Sequence, residues 1–391
     1  MKGGKYIMCR LTYIFVGACF IFCVFVLPNP IPAVEPIKVG GMFALSGPYA
    51  HVGISQKNTG VFVFDQVNAA GGINGRTVNF IQADTEGDPT KALLAAKRLV
   101  EQEKVAVIIG PVKTDEGMAI KPYLDSAKVP AVMHCASDII VDLPPAHWVF
   151  KSPPRSSHII QRLFTYMKDH GLKNLGFMYA QTGFGKDALQ LVQKFAPEYN
   201  INIVAIESFG DKDLDMKPQL LNLRSKNPQA ILTWTLGPSG ATEAKNVKEL
   251  GFKIPHFHGH GSAMPEFVKM AGSAAEGTMI AAQKVYVVDE LPDSDPHKAI
   301  NMRFIREFSK VYSVAPGAME VCGADAASLA VNALKKAGDD RSAIRDALEN
   351  TKGFPGLNGT YNMSPSDHNG LSYKDFVLMK VEGGRFRLVK D

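Results

Sequence analysis

Residues 37–84 contain a strand, a helix and a second strand, in that order. Residues 37–43 are apolar or small, and residues 53–70 carry apolar side chains at helical spacing. This helical pattern ends at Gly71-Gly72, where glycine permits a left-handed helix end. Residues 76–84 are predicted to form the second strand. Because open α/β sheets bind ligands beyond the carboxyl ends of their strands, this unit predicts an α/β fold with a binding loop after the first strand.

Residues 1–33 have the layout of a secretory signal peptide. The first ten positions hold three basic residues and no acid, residues 11–27 are apolar or small, and a proline-rich segment ends at Ala33. Two alternatives stay open. A retained anchor would be at the lower length limit for crossing a bilayer, and lipidation at Cys19 is disfavoured because the apolar run continues well beyond it. Cleavage after Ala33 is preferred and predicts a periplasmic or equivalent location.

Composition excludes some classes of function. Cleavage removes three of the 43 basic residues and none of the 38 acidic ones, so the net charge falls from +5 to about +2 over 358 residues. With no block of like charges left, nucleic-acid binding is not expected. The mature chain is long enough for two domains with their own cores. It keeps only Cys135 and Cys322, and although export permits a disulfide, we expect two separate thiols.

Strand and helix patterns alternate through most of the chain. Strands are predicted at 105–109 and 130–133 with a helix at 114–126 between them, and a proline-rich stretch at 142–154 then interrupts the alternation. Such alternation predicts parallel sheets with helices on both faces, and the interruption near Pro153 predicts a second sheet and a second lobe. After it come helices 156–169, 185–195, 216–225 and 240–250, which alternate with strands 174–179, 201–207, 230–235 and 254–259.

The C-terminal part has a different pattern. Three successive helices are predicted at 297–312, 318–336 and 341–350, and a glycine-rich turn follows at 354–362. Strands at 373–379 and 385–389 flank Glu382-Gly383-Gly384, which is a hairpin signal.

Motifs in the first unit resemble a known family. They are the turn Ser46-Gly47-Pro48, the segment Asn68-Ala-Ala-Gly-Gly-Ile-Asn-Gly75 and the strand end at Asp84. In order and spacing they are similar to the solute-binding proteins of ABC importers in the branched-chain amino acid group, the leucine-binding-like type I periplasmic binding proteins. The resemblance extends over residues 37–389. It implies an extracytoplasmic protein that captures a ligand for a membrane permease.

The resemblance implies two doubly wound, Rossmann-like lobes that close on the ligand by a hinge motion. Three crossings of the chain, near Pro153, Lys284 and Phe354, would join them. We expect a monomer that partners with the ABC permease subunits, that is no enzyme, and that has no cofactor and no metal. The implied parts are a signal peptide at 1–33, a first lobe at 34–153 plus 284–354 and a second lobe at 154–283 plus 355–391.

In the family, hydroxyl side chains and backbone groups of the first lobe hold the ligand's carboxylate. The matching positions here are Thr114, the backbone of Cys135, and Ser137, with Ala136 between the last two. Free N–H groups at a helix start attract anions. Helix capping is the alternative role for both hydroxyl residues.

The resemblance also implies ligand contacts from the second lobe. Phe184 matches an aromatic residue that closes over the ligand, and Leu236 stands where amino-acid binders often have a polar aromatic residue. Gly261 stands where amino-acid binders have the acid that pairs with the α-ammonium. Val52 and Met319 also fall at pocket positions, although core packing is the alternative for Met319, as it is for Phe184.

A buried ammonium without a counter-charge is costly, so Gly261 favours a small carboxylate without an amino group as the ligand. Among such ligands, aromatic acids are the first expectation. The alternative ligand is a branched-chain or other amino acid, with Asp138 or Glu320 supplying the acid from a neighbouring loop.

An enzyme is the alternative of another class. The sequence has no Gly-x-Ser-x-Gly elbow, no phosphate-binding loop and no Cys-x-x-Cys motif. His256, His258 and His260 have strand spacing that places them on one face, and neutral imidazoles bind zinc or nickel, so the enzyme alternative is a metal-assisted hydrolase that uses these histidines. His134, in another strand-end loop, would be able to join them. The acids Asp84, Asp88, Asp138 and Asp142 are better explained as strand ends and helix caps.

The leader predicts a mature protein that begins at Val34. N-terminal sequencing of the protein purified from its native host would give Val34 as the first residue, because the small side chain of Ala33 suits the cleaving peptidase. An intact leader, or a lipid on Cys19, would contradict this prediction.

Overall fold

The computed structural model describes residues 35–390 together with Met1, so the predicted signal peptide lies outside the described residues except for Met1. None of the described helices is both long and apolar enough to cross a membrane. The strands are β1 (Ile37–Phe43), β2 (Val78–Asp84), β3 (Val107–Ile109), β4 (Ala131–Met133), β5 (Val149–Lys151), β6 (Asn174–Ala180), β7 (Asn202–Phe209), β8 (Ala230–Trp234), β9 (His256–His258), β10 (Met279–Ala282), β11 (Phe354–Pro355), β12 (Thr360–Tyr361), β13 (Val377–Glu382) and β14 (Arg385–Leu388). The α-helices are α1 (Ala50–Ala69), α2 (Pro89–Lys97), α3 (Thr114–Ala127), α4 (Ile139–Asp142), α5 (Ser156–Asp169), α6 (Gly183–Phe195), α7 (Lys217–Ser225), α8 (Ser239–Glu249), α9 (Pro265–Ala271), α10 (Lys298–Tyr312), α11 (Ala318–Ala337) and α12 (Arg341–Glu349).

The first sheet has five parallel strands in the order β2-β1-β3-β4-β5. The second sheet has the order β14-β13-β10-β9-β8-β6-β7, with the hairpin β13–β14 added antiparallel to β10. Within each sheet the strand order reverses once, between β1 and β3 and between β6 and β8. Such a reversal opens a crevice at the carboxyl ends of the strands, which is where this kind of sheet binds ligands.

The cores on the two sheets are built from large apolar side chains. Phe43, Phe64 and Phe150 are fully buried at the first sheet, and Phe177 and Phe257 at the second. Phe64 belongs to α1, and the strands that carry the other four residues are largely buried on both faces, as expected where helices cover a parallel sheet on each side.

Close packing at the start of α1 positions the first loop. A Cβ on Gly53 would lie 2.0 Å from the carbonyl oxygen of Ala44, so only glycine lets the helix approach the end of β1 this closely. The helix ends at Gly71 and Gly72, which have φ of 98° and 79°, as the glycine pair predicts. Asp84 accepts hydrogen bonds from the N–H groups of Leu45 and Glu86, and the predicted strand-end role of this acid is confirmed.

The chain passes three times between the lobes, as the fold class implies. It leaves the first sheet after β5, returns in the segment that leads to α11, which packs on α1, and crosses again before β13. Asp325 of α11 joins the crossings, because its carboxylate accepts the N–H groups of Leu357 and Asn358 at 2.7 and 2.8 Å and the hydroxyl of Tyr361 at 2.9 Å. That hydroxyl also lies 2.6 Å from the carbonyl oxygen of Ser152.

The sequence patterns located most elements within a few residues but missed several short ones. Helices α4 and α9 and strands β5 and β10 were not predicted, since each is too short to show a period. The nine-residue helix α2 was also missed. The strand predicted at 373–379 was wrong in its first half. Ser372 accepts the N–H of Lys374 and starts a 3-10 turn, so strand β13 begins only at residue 377. The two cysteines of the described chain are free thiols, as predicted.

Candidate functional site

A cleft between the two lobes contains about 660 Å³ of space not filled by protein atoms, part of it open to solvent. Most of its lining comes from loops that follow strand ends, and the starts of α3 and α6 together with α1 and α11 supply the rest. Hydrogen bonds join the lobes across it, from Gly183 N–H to Asp115 Oδ1 at 3.0 Å and from Tyr49 Oη to Asp211 Oδ2 at 2.8 Å.

Six of the nine predicted binding residues line this cleft. They come from both lobes and from α11: Thr114, Ala136, Phe184, Leu236, Gly261 and Met319. The other three lie behind the lining. Val52 is buried in α1, Cys135 directs its thiol to the carbonyl oxygen of Lys113 at 3.2 Å, and Ser137 Oγ lies 2.8 Å from Thr114 Oγ1. Ligand binding by these residues stays a prediction.

The buried side chain of Lys151 binds the turn at residues 135–137. Its ammonium is fully buried and donates to the carbonyl oxygens of Ala136 at 2.5 Å and Ser137 at 3.2 Å. In a trans peptide the N–H points opposite to the preceding carbonyl, so the amide of Ser137 points away from Lys151. Burial lowers the pKa of Lys151 to about 8, against the opposing effect of the Asp138 carboxylate.

Three aromatic rings pack against one another at the second-lobe side of the cleft. The ring centroids of Phe184, Trp234 and His260 are 5.4–5.5 Å apart in each pair. Such spacing is typical of favourable aromatic packing. Phe184 and His260 reach the lining, and the half-buried side chain of Leu236 adds an apolar surface beside them.

The backbone at Gly261 leaves no room for a side chain. A Cβ there would lie 2.2 Å from the carbonyl oxygen of Thr235 and 3.0 Å from the ring of Phe184. Among the described lining residues the carboxylate is that of Asp115, whose Oδ1 already accepts the N–H of Gly183. The two acids suggested as substitutes do not line the cleft. Asp138 accepts the hydroxyl of Ser157, and Glu320 accepts the N–H of Gly317.

Several polar atoms of the lining are buried and have no hydrogen-bond partner among the described residues. They are Nε2 of His134, both ring nitrogens of His260, and Oε1 of Gln283. Burial lowers the pKa of His134 and of His260 to about 3, so both rings are neutral. His134 Nδ1 lies 2.9 Å from Gln56 Oε1, an acceptor, so Nδ1 carries the proton and Nε2 is left as an acceptor. Buried polar atoms of this kind are costly unless a ligand pairs with them.

The three histidines of the motif do not form one cluster, which corrects the expectation that they share a face. His256 and His258 lie on β9 and contact Glu243, whereas His260 belongs to the following 3-10 turn and lines the cleft. The strand ends at His258, so the two-residue alternation stops there.

Sequence reasoning missed Tyr49, Gln56 and Gln283 of the lining, and Lys151 beneath it. Gln283 directly follows β10, whose four apolar residues after Gly277 were the available signal. Lys151 ends β5 in the proline-rich stretch that was interpreted as a break. Nothing in the sequence marks the helical residue Gln56 as part of a site.

The sequence model described as periplasmic binding protein matches residues 36–385. The chain belongs to this family. It is 22% identical over 336 residues to the Leu/Ile/Val-binding protein homolog 7 of Brucella suis, covering 82% of this chain and 83% of that protein. Proteins of this family are periplasmic solute-binding proteins that work with ABC transporters, so the family and the class of function expected from the sequence are confirmed.

Solved structures share the fold across nearly the whole chain. An extracellular ligand-binding receptor from Rhodopseudomonas palustris HaA2 superposes with a TM-score of 0.83 at 28% identity, covering 90% of this chain and 99% of the receptor. The substrate-binding protein LivJ of Streptococcus pneumoniae, solved with isoleucine, has a TM-score of 0.79 at 23% identity, covering 91% and 100%. A solute-binding protein of an R. palustris ABC transporter, solved with benzoate, has a TM-score of 0.78 at 23% identity, covering 90% and 95%. These confirm the two-lobed α/β fold.

Asp187 makes the protein's stability depend on pH. Its Oδ2 accepts the N–H of Asp138 from the other lobe at 2.9 Å. Burial, and next the charge of Asp138, raise the pKa of Asp187 from 3.8 to about 7. Because the folded state then binds the proton more tightly than the unfolded state, the free energy of unfolding falls as pH rises from about 4 to about 7.

We expect Asp187→Asn to remove this loss of stability at higher pH, because the asparagine amide keeps an acceptor for the N–H of Asp138 and does not ionise. Melting temperatures measured from pH 4 to pH 8 should show the variant gaining on the wild type as pH rises. Asp169→Asn, at an exposed position on α5, is the matched control and should follow the wild type. A difference between Asp187→Asn and wild type that stays constant with pH would contradict the prediction.

Proposed function

We propose that this solute-binding protein captures a small carboxylate with an apolar or aromatic body and no α-ammonium group. The observation that carries the proposal is Gly261. An acid in this loop would pair with an ammonium, but even a Cβ there would meet Thr235 at 2.2 Å. A buried ammonium would therefore receive no counter-charge from this loop, and the carboxylate of Asp115 already accepts the N–H of Gly183.

The carboxylate of the ligand would lie at the first-lobe side, near Thr114 and Ala136. The first N–H groups of α3 have no partner within the helix, and the N-terminal end of a helix attracts negative charge. The ammonium of Lys151 lies beneath the turn and adds positive charge without reaching the cleft. Ser137 would act through Thr114, whose hydroxyl it contacts at 2.8 Å.

The body of the ligand would lie between the lobes against apolar surfaces. Phe184, Leu236 and Met319 line this region, together with Val112. An aromatic ring would extend the packing of the Phe184 and His260 rings by edge or offset contact. Nε2 of His134 is an acceptor, so a hydroxyl on the ligand body would satisfy it.

The fold alone does not select the ligand, since the neighbour solved with isoleucine and the neighbour solved with benzoate have nearly equal TM-scores. The proposal therefore rests on the residues that line the cleft. A branched-chain amino acid is the second candidate because of the names of the Brucella and other relatives, and Asp115 would then have to supply the counter-charge.

The remaining parts of the proposal follow from the family. Lobe 1 is residues 34–153 plus 284–354 and lobe 2 is residues 154–283 plus 355–391, with hinges near Pro153, Lys284 and Phe354. Ligand contacts to both lobes stabilise the closed form, which docks as a monomer on the permease subunits. The signal peptide delivers the protein to the periplasm.

Matched pairs of ligands that differ only in the ammonium group test the ligand class. We expect 4-methylpentanoate to bind more tightly than leucine, and 3-phenylpropanoate more tightly than phenylalanine, each by at least about tenfold, because an unpaired buried ammonium costs more than about 1.4 kcal/mol. Calorimetric titration of the mature chain gives the four affinities. Tighter binding of either amino acid than of its partner acid would overturn the proposal.

Thr114→Val tests the carboxylate end. The substitution keeps the shape of the side chain but removes the hydroxyl, and a hydrogen bond to a charged group contributes about 1.5–3 kcal/mol. We expect the affinity for 3-phenylpropanoate to fall by about 10-fold to 100-fold, as measured by titration. Thr165→Val, on α5 away from the cleft, is the control and should leave affinity unchanged. Unchanged affinity in Thr114→Val would remove this residue from the site.

A further inference from the structure

A second cluster of chemically reactive side chains lies in the second lobe, apart from the residues that line the cleft. It consists of Glu243 on α8 and His256 and His258 on β9. Glu243 and His258 are fully buried, and His256 is 8% exposed. Ligand capture uses none of the three.

Three atoms of this cluster form a nearly equilateral triangle. Oε2 of Glu243 lies 3.0 Å from Nε2 of His256 and 3.1 Å from Nε2 of His258, and the two nitrogens are 3.1 Å apart. With the carboxylate ionised, no placement of the ring protons gives a favourable contact between every pair of these three atoms. If both rings donate to the carboxylate, two N–H groups face each other, and if one ring is unprotonated, its lone pair faces the carboxylate oxygen.

A metal cation displaced from the plane of this triangle would bind all three atoms at once. With bonds of about 2.0–2.2 Å in a tetrahedral site, neighbouring ligand atoms lie about 3.3–3.6 Å apart, so the three atoms would move apart by a few tenths of an ångström to bind the ion. Two imidazoles with one carboxylate suit divalent first-row transition ions, and these three protein ligands would leave a fourth position for water. The cation would also balance the charge of a carboxylate that is fully buried.

The surrounding residues orient the ligands as metal sites require. Ser262 Oγ lies 2.9 Å from Nδ1 of His258, an arrangement that fixes the ring and leaves Nε2 for the cation. Thr233 donates its hydroxyl to the other oxygen of Glu243 at 3.0 Å. The register of β9 against β8 pairs His258 with Thr233, so the sheet itself holds this outer shell.

We propose that Glu243 Oε2, His256 Nε2 and His258 Nε2 bind a divalent transition-metal ion, for which Zn²⁺ is the test ion. The ion joins α8 to β9 and holds the loop 259–262 through Ser262. Because Gly261 of that loop lines the ligand cleft, the site stiffens one side of the cleft. Its role is structural, since the cluster lies outside the lining.

The mature chain, without a polyhistidine tag, is stripped with a chelator and titrated with Zn²⁺ by calorimetry. Cobalt, followed by its visible absorption, reports coordination by nitrogen and oxygen ligands. We expect one equivalent of metal per chain and a higher melting temperature with metal than without. His256→Gln and His258→Gln should each weaken Zn²⁺ binding by more than about 100-fold, and Ser262→Ala by about 10-fold to 100-fold.

Two controls keep the test decisive. His170→Gln removes an exposed histidine that directly follows α5, and this variant should bind Zn²⁺ as the wild type does. The Zn²⁺ titration of the wild type tests the proposal even if neither histidine variant folds, since both histidines are buried. No stoichiometric Zn²⁺ in the wild type, or wild-type affinity in His256→Gln, would overturn the proposal. The result does not depend on which organic ligand binds in the cleft.

Discussion

The constraint on which the rest of this structure depends is the parallel direction of its strands. Parallel strands all end at the same edge of a sheet, so each βα loop of a lobe opens on the same side. Loops after β1, β3 and β4 from one lobe and after β6, β8 and β9 from the other therefore meet in one cleft. The three crossings, joined at Asp325, keep those two edges opposed.

Buried charge organises the first-lobe side of the cleft. Lys151 holds the carbonyl oxygens of the turn at Ala136 and Ser137, and the following N–H of Asp138 reaches Asp187 of the other lobe. The same short turn thus contributes to the lining and to the contact between the lobes. Ala136 of the lining and Asp138, whose N–H bonds to the other lobe, are only two residues apart in this turn.

Local sequence patterns were sufficient for much of the fold. Helix α5 begins and ends where its periodicity predicts, and the glycine pair after α1 ends that helix as expected. Short strands such as β5 and β10 were missed, because three or four residues are too few to show a period. Family motifs brought six predicted positions to the lining, since loops after strands keep their place in a doubly wound sheet.

By itself the sequence determined the alternation of strands and helices, the two lobes and the loops that meet in the cleft, because periodicity and turn residues act locally. Only the tertiary structure decided which distant side chains share a point in space. It placed Lys151 under the turn and brought Glu243 to His256 and His258, while His260 turned away from them into the cleft. It also showed that Gly261 has no space for a side chain, since that space is filled by Thr235. These outcomes depend on strand register and helix packing over long sequence separations, which no local pattern encodes.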